Sequence, residues 1–195
     1  MLDIKRTNEP WVIPKIVEDL KKVNSDLDFW GRRMVLGIWR WDVLESANSS
    51  CPTLPVLHIG FSRSLARKFL AQSQVVGISL NVVSLNVPGG SSLIHEAKQL
   101  GKLTYAWTVN QKPAMKWAAS MDLDGIITDH PDVYAKFIGD VTEKEIETIY
   151  AVKEPSAFYT FSEKMSYRLK FAVMWMWVFY LQVSDFFFPS AKGPF

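Results

Sequence analysis

The feature that most constrains the fold is a repeated alternation of short apolar runs with amphipathic stretches, from the first residues to about residue 140. This pattern is typical of strand-helix units in a parallel sheet. It predicts strands at residues 2–5, 34–38, 56–59, 77–83, 104–109 and 125–128. It predicts helices at residues 11–23, 64–72, 93–100 and 113–121. Such units form an open doubly wound sheet or a TIM barrel, and six units do not decide between them.

Two turn regions punctuate this pattern. The segment SANSSCPTLP, residues 46–55, predicts a polar loop, and VPGGSS, residues 87–92, predicts a glycine-rich turn. The two glycines could form a phosphate cradle, or an ordinary turn in which Ser91 or Ser92 caps the next helix. No GxGxxG motif follows the first strand, so a dinucleotide-binding function has no support.

Charge and cysteine content narrow the classes of function. The chain has 22 Lys and Arg against 20 Asp and Glu, a formal charge of +2, and we therefore expect no binding to nucleic acid. The single cysteine, Cys51, has no partner in the chain for a disulfide. The lack of a possible disulfide within the chain favours a domain that faces the cytosol.

The first predicted strand carries two opposite charges. Side chains alternate across a strand, so Asp3 and Lys5 project from the same side, opposite Leu2 and Ile4. In a barrel, this would place a carboxylate and an ammonium at the end where active sites are built. The carboxylate could bind a hard divalent cation and the ammonium could attract a phosphate. Alternatively, the two residues form an exposed ion pair on a terminal strand.

Three segments, in the order DIKRTN, YAWTVN and DGIITDHPD, resemble the later barrel strands of the glycerophosphodiester phosphodiesterase family. Within that family they are most similar to the phosphatidylglycerol phospholipase C branch. The resemblance covers residues 2–137. It implies a TIM barrel, a divalent metal (Mg²⁺ or Ca²⁺) held by three carboxylates, and two histidines that act as general acid and base.

The resemblance also assigns individual residues. Asp3 matches the third metal carboxylate, where most of the family has Glu, and Lys5 matches the lysine near the substrate phosphate. Trp107 matches the aromatic wall and Asn110 the polar residue that closes its strand, so both are expected to bind substrate. Asp129 matches the family's turn acid, and we expect it to fix the turn before Pro131.

The chain departs from the family pattern because the HRG strand, the paired-acid strand and the HD hairpin all precede DIK in the family. We therefore expect an α/β fold that is an incomplete barrel of about six of the eight units. The leading hypothesis is a phosphoric diester hydrolase that cleaves glycerophosphodiesters or phosphatidylglycerol-type phospholipids. The alternative is a catalytically inactive, membrane-bound fragment or pseudoenzyme. Either way, the 195-residue chain alone is expected to have no significant activity.

The chain has three histidines, none of them in an HRG or matching HD context. His58 lies on a predicted strand and is either a hydrogen-bonded core residue or a catalytic one. His95 is expected to be solvated on a helix, and His130 to lie near the rim of the site. The aromatic residues of GIWRW, Trp39 and Trp41, could line a lipid-accessible mouth or serve in packing.

The C-terminal region has a different composition. Residues 171–183 contain no charge, and Arg168 and Lys170 directly precede them, as where a helix enters a membrane from its basic side. Thirteen helical residues span about 20 Å, less than the roughly 30 Å hydrocarbon core. A short anchor, a re-entrant segment, an interfacial helix and a final helix packed on the barrel all stay open. The predicted membrane contacts are Arg168, Lys170, Phe171, Trp175, Trp177 and Tyr180.

These patterns divide the chain into four parts. Residues 1–140 form the partial barrel domain, residues 141–168 a helical linker, residues 169–188 a membrane anchor or interfacial helix, and residues 189–195 a tail. We expect a membrane-associated protein whose barrel domain faces the cytosol. Its expected partners are a phospholipid or glycerophosphodiester substrate and the membrane itself.

Overall fold

A computed structural model describes residues 1–86 and 89–140, followed by residues 162, 165–166, 168–170, 172–173 and 176–177. The predicted linker and membrane segment therefore fall largely outside the described residues, and the tail at residues 189–195 does so entirely. Phe171, Trp175 and Tyr180 are among the residues that the structure does not describe. Within the described part of the chain, no helix has the length and apolar composition that crossing a bilayer requires.

The described residues form an α/β fold. The strands are β1 (Leu2–Ile4), β2 (Leu36–Ile38), β3 (Val56–Gly60), β4 (Val75–Asn81), β5 (Leu103–Trp107) and β6 (Gly125–Ile126). The helices are α1 (Val12–Val23), α2 (Leu27–Gly31), α3 (Trp41–Ser50), α4 (Arg63–Leu70), α5 (Val82–Leu85), α6 (Gly90–Gln99), α7 (Lys112–Ser120) and α8 (Pro131–Asp140). Each strand is followed by one or two helices.

The six strands form one parallel sheet in the order β1-β2-β3-β4-β5-β6, each neighbour being the next strand in sequence. Every crossover between neighbours carries at least one helix. This confirms the parallel α/β sheet that the sequence predicts, and six consecutive parallel strands are consistent with part of a TIM barrel.

The fourth strand differs most from its prediction. It begins at Val75 and ends at Asn81, whereas the apolar run predicted a strand over residues 77–83. The side chain of Asn81 accepts a hydrogen bond from the backbone N–H of Val83, and α5 begins at Val82. An asparagine at this N-cap position ends the strand and begins a helix, although the residues that follow it are still apolar.

Four helices were not predicted: α2, α3, α5 and α8. The prediction of a loop over residues 46–55 is wrong for residues 46–50, because α3 continues through Ser50. Val43, Leu44 and Ala47 bury one face of α3 against the core, and Ser49 Oγ donates to the Glu45 carbonyl oxygen. Tertiary packing thus overrides the low helix propensity of SANSS.

The glycine-rich turn is also capped differently from the prediction. Helix α6 begins at Gly90, with Gly89 as its N-cap at φ +87°, so neither Ser91 nor Ser92 is the cap. Glycine adopts this left-handed conformation without the clash of a side chain. A Cβ on Gly90 would lie 1.8 Å from the Leu85 carbonyl oxygen, so this turn requires glycine for close approach as well as for conformation.

Apolar side chains on the helical side of the sheet form two clusters. One surrounds β1 to β3 and includes Ile38, Leu44 and Phe69, and the other surrounds β4 and β5 and includes Leu80 and Trp117. Burial of these side chains is the main favourable contribution to folding. It leaves the opposite side of the sheet and the strand ends free for polar and aromatic groups.

Replacing Gly77 by alanine is expected to lower the free energy of unfolding by about 1–3 kcal/mol. A Cβ at this position of β4 would lie 2.3 Å from the carbonyl oxygen of Leu103 on β5. Gly139→Ala is the control, because a Cβ there meets no atom within 4 Å and lies in α8. Urea unfolding followed by tryptophan fluorescence measures both, and equal stability of the two variants would contradict the close β4–β5 packing.

Candidate functional site

The carboxyl ends of the parallel strands bring distant polar and aromatic residues together. Asp3 lies opposite Gly37 in the β1–β2 register, and Asn81 lies opposite Trp107 in the β4–β5 register. Because all strands point the same way, their carboxyl ends meet at one edge of the sheet. The side chains of Asp3, Lys5, Trp39, Phe61 and Trp107 are connected at this edge by the contacts described next.

Asp3 is hydrogen-bonded through both carboxylate oxygens. Lys5 Nζ lies 2.5 Å from Oδ2, and the indole nitrogen of Trp39 donates to Oδ1 over 2.9 Å. The Asp3 side chain is 30% exposed, whereas that of Lys5 is 68% exposed. Both charges project from one side, as the sequence predicts, and they form the exposed ion pair of the alternative interpretation. A role of Asp3 in metal binding and of Lys5 in phosphate binding stays a prediction.

Three aromatic rings pack beside this ion pair. The ring centroids of Trp39 and Trp107 are 5.4 Å apart, those of Trp39 and Phe61 5.8 Å, and those of Phe61 and Trp107 5.1 Å. The indole N–H of Trp107 donates to the Ser79 carbonyl oxygen over 2.9 Å, which fixes its ring. We call these three rings the aromatic cluster. Sequence reasoning missed Phe61, although its place directly after β3 was a usable signal.

A cleft of about 480 Å³ opens at the ends of β2 and β3. It is lined by Arg6, Trp39, Arg40, Trp41, Asp42, Gly60, Phe61, Ser62 and Leu65. Trp39 lines this cleft. Whether lipid reaches the cleft is not tested by the structure, and lipid access stays a prediction. Trp41 both lines the cleft and packs in the core, with its ring centroid 5.5 Å from that of Phe69.

Arg40 fixes the loop that forms one wall of the cleft. Its guanidinium donates to the carbonyl oxygens of Arg6 and Asn8, each over 3.3 Å, and forms an ion pair with Asp42. A single arginine therefore ties the segment after β1 to the segment after β2. The planar, multiply donating guanidinium suits this bridging geometry.

Asn110 connects the ends of β5 and β6. Its amide oxygen accepts hydrogen bonds from Thr128 Oγ1 (3.0 Å) and the backbone N–H of Asp129 (2.9 Å), and its amide nitrogen donates to Asp129 Oδ2 (2.7 Å). These bonds hold the turn before Pro131, as predicted for Asp129. Asn110 also lines a second cleft, of about 290 Å³, together with Asn81 and Lys170. Binding of substrate by Asn110 stays a prediction.

The histidines do not converge on this site. His58 is fully buried on the helical side, stacked on Phe69 with centroids 3.9 Å apart, and its Nδ1 donates to the Ile38 carbonyl oxygen over 3.1 Å. Of the two alternatives, His58 is thus the hydrogen-bonded core histidine. Burial lowers its pKa to about 4, because the charged form is poorly solvated there. His95 and His130 are exposed.

The fold and site place the chain in a class of protein, the parallel α/β proteins. In this class, polar and aromatic groups collect at the carboxyl ends of the strands. The model of the glycerophosphoryl diester phosphodiesterase family matches residues 3–133. The chain belongs to this family. The sequence resemblance is therefore confirmed at the level of the family.

Two solved structures have a similar fold. One is a glycerophosphoryl diester phosphodiesterase from Silicibacter pomeroyi, with a TM-score of 0.56 and 20% identity over 72% of this chain. The other is a glycerophosphodiester phosphodiesterase from Parabacteroides distasonis, with a TM-score of 0.54 and 17% identity over 70% of this chain. This chain covers 50% and 56% of their respective lengths.

The family is generally metal-dependent, which requires a set of hard oxygen ligands. Asp3 has the carboxylate oxygens that Mg²⁺ and Ca²⁺ prefer. Among the described residues, however, no group of three or more His, Cys, Asp or Glu side chains could hold a metal. Both oxygens of Asp3 also already accept hydrogen bonds, one of them from a cation. The described residues therefore do not fit a divalent metal site by themselves.

Stability is expected to fall as the pH is lowered from 6.5, because unfolded histidine then binds a proton that buried His58, with a pKa of about 4, does not. The loss between pH 6.5 and pH 5 is about 1.5 kcal/mol. His58→Asn, which keeps a donor near the Ile38 carbonyl oxygen, should lose this dependence. Urea unfolding at several pH values measures it, and an unchanged slope in the variant would contradict the assignment.

Proposed function

We propose that the chain binds the phosphodiester group of a glycerophosphodiester or of a phosphatidylglycerol-type phospholipid, as part of a phospholipase C-like phosphoric diester hydrolase. The observation that carries this proposal is the exposed Lys5 ammonium, held by Asp3 beside the aromatic cluster at the carboxyl ends of the strands. A phosphodiester carries one negative charge, which an ammonium attracts.

The neighbouring groups suit the rest of such a substrate. The rings of Trp39 and Phe61 and the side chain of Leu65 offer apolar contact to a glyceryl or acyl group in the cleft. Trp107 supplies the wall behind them. Hydrolysis of a phosphatidylglycerol-type lipid at the acylglycerol side would add water and release diacylglycerol and a glycerol phosphate. The membership of the phosphatidylglycerol phospholipase C branch is part of this proposal.

Lys5→Met is expected to weaken the binding of glycerophosphoglycerol by about tenfold, because it removes a charge-assisted hydrogen bond to the phosphodiester. Lys15→Met is the matched control: Lys15 lies on α1, paired with Glu18 and Asp19. Isothermal titration calorimetry on the 195-residue chain measures both variants. Equal weakening by both would indicate a nonspecific charge effect and would count against the proposed site.

The alternative function is binding without catalysis. It is favoured by the position of His58 on the helical side and by the lack of a metal-ligand cluster among the described residues. We expect the purified chain to release no glycerol phosphate from glycerophosphoglycerol or phosphatidylglycerol vesicles, with either Mg²⁺ or Ca²⁺ present. Release that depends on the metal and stops with a chelator would contradict this expectation.

We further propose that the C-terminal segment attaches the protein to a membrane, with the sheet domain on the cytosolic side. Among the described residues of this segment, four large apolar side chains are exposed: Leu169 (65%), Val173 (52%), Met176 (64%) and Trp177 (52%). Arg168 and Lys170 lie beside them and suit an anionic lipid surface. The spacing of the apolar residues is that of one helical face.

Leu169→Glu with Val173→Glu is expected to reduce flotation with vesicles that contain phosphatidylglycerol, because it places carboxylates on the apolar face. Leu100→Glu with Val23→Glu is the control pair, since both of these apolar side chains are exposed on the sheet domain. Flotation of the first variant at the wild-type level would contradict attachment through this face.

A further inference from the structure

The indole N–H of Trp39 donates to one oxygen of Asp3 over 2.9 Å, while Lys5 occupies the other oxygen at 2.5 Å. We propose that Trp39 is a positioning residue: it fixes the orientation of the Asp3 carboxylate and, through it, the place of the Lys5 ammonium that receives the phosphodiester. This inference rests on the proposed function, because that function gives Lys5 its ligand.

The backbone brings these residues together across two strands. Asp3 pairs with Gly37 in the register of β1 and β2, and Trp39 follows Gly37 by two residues. Residues two apart project from the same face of a strand. Since Gly37 has no side chain, the next side chain on that face is Trp39. The hydrogen bond thus joins residues 36 positions apart: Asp3 within β1 and Trp39 directly after β2.

The direction of the indole N–H is set by packing. The ring of Trp39 lies against Phe61 and Trp107, at centroid distances of 5.8 Å and 5.4 Å. Trp107 is in turn held by its own hydrogen bond to the Ser79 carbonyl oxygen. Trp39 therefore offers a donor whose orientation is held by the aromatic cluster as well as by Asp3. A ring locked by its neighbours is the kind of support that keeps a binding group in place.

Lys5 needs such support because its side chain is long and 68% exposed. An unrestrained lysine side chain samples many rotamers, and holding it still carries an entropic cost on binding. Asp3 restrains the ammonium only if the carboxylate itself is fixed. In the structure, the bond from Trp39 to Oδ1 prevents the carboxylate from rotating freely about its own axis.

Trp39→Phe tests this role because it removes the N–H donor while it keeps an aromatic ring, although a smaller one, in the cluster. We expect it to weaken the binding of glycerophosphoglycerol by about threefold to tenfold, less than Lys5→Met does. Trp30→Phe is the matched control, since the indole of Trp30 donates to the Asn24 carbonyl oxygen away from the cleft. It is expected to bind the probe with unchanged affinity.

A second measurement reports the hydrogen bond itself, independently of any ligand. In the ¹⁵N-labelled chain, the indole resonance of Trp39 is identified by its disappearance in Trp39→Phe. In Asp3→Ala it should move upfield and exchange faster with water. The indole resonance of Trp107, which donates to a backbone carbonyl, should change little and also reports that the aromatic cluster is intact.

The outcomes separate the positioning role from the proposed function. An indole resonance of Trp39 that does not respond to Asp3→Ala overturns the positioning role. Wild-type affinity of Trp39→Phe for glycerophosphoglycerol, with Lys5→Met impaired, overturns it as well. Absence of binding by the wild-type chain overturns the proposed function, and the positioning role falls with it.

Discussion

The parallel pairing of six consecutive strands, each with the next in sequence, is the constraint on which the rest of the structure depends. It aligns all carboxyl ends at one edge, so residues that are distant in sequence meet there. Register matters as much as order: a slip of one residue between β1 and β2 would turn Asp3 toward the helices and Ile4 away from them. The buried side chains on the helical side oppose any such slip, because they would lose their apolar surroundings.

The alternation of side chains between the two faces of each strand separates the residues that serve stability from those of the proposed binding site. His58 serves stability, because it is neutral, stacked on Phe69 and bonded to a backbone carbonyl within the core. Asp3 and Lys5 belong to the proposed binding site. Their charges remain near solvent, where an ion pair contributes little to stability. The aromatic cluster contacts the ion pair through the hydrogen bond from Trp39 to Asp3.

Much of the fold could be predicted from the sequence because its signals are local. Apolar periodicity located the six strands and the helices α1, α4, α6 and α7, and the pattern of LDIK placed Asp3 and Lys5 on one side. The four missed helices depend on tertiary contacts or on single capping residues, such as Asn81. Gly89 caps α6 in a left-handed conformation. The sequence did not predict this cap, because the neighbouring serines are common N-cap residues. The site was less predictable, because its main contacts join distant segments. Nothing local in GIWRW indicates that Trp39 bonds to Asp3, and the one local signal for Phe61 is its place directly after β3.

The central claim is that the carboxyl ends of the strands form the ligand-binding face. The most direct measurement is a map of amide chemical-shift changes in the ¹⁵N-labelled chain during titration with glycerophosphoglycerol. The account predicts that the changes concentrate at Lys5, Trp39, Phe61 and Trp107, with little change at Gln74, Lys102 and Asp124, near the opposite ends of the strands. Changes concentrated at those opposite ends would contradict it.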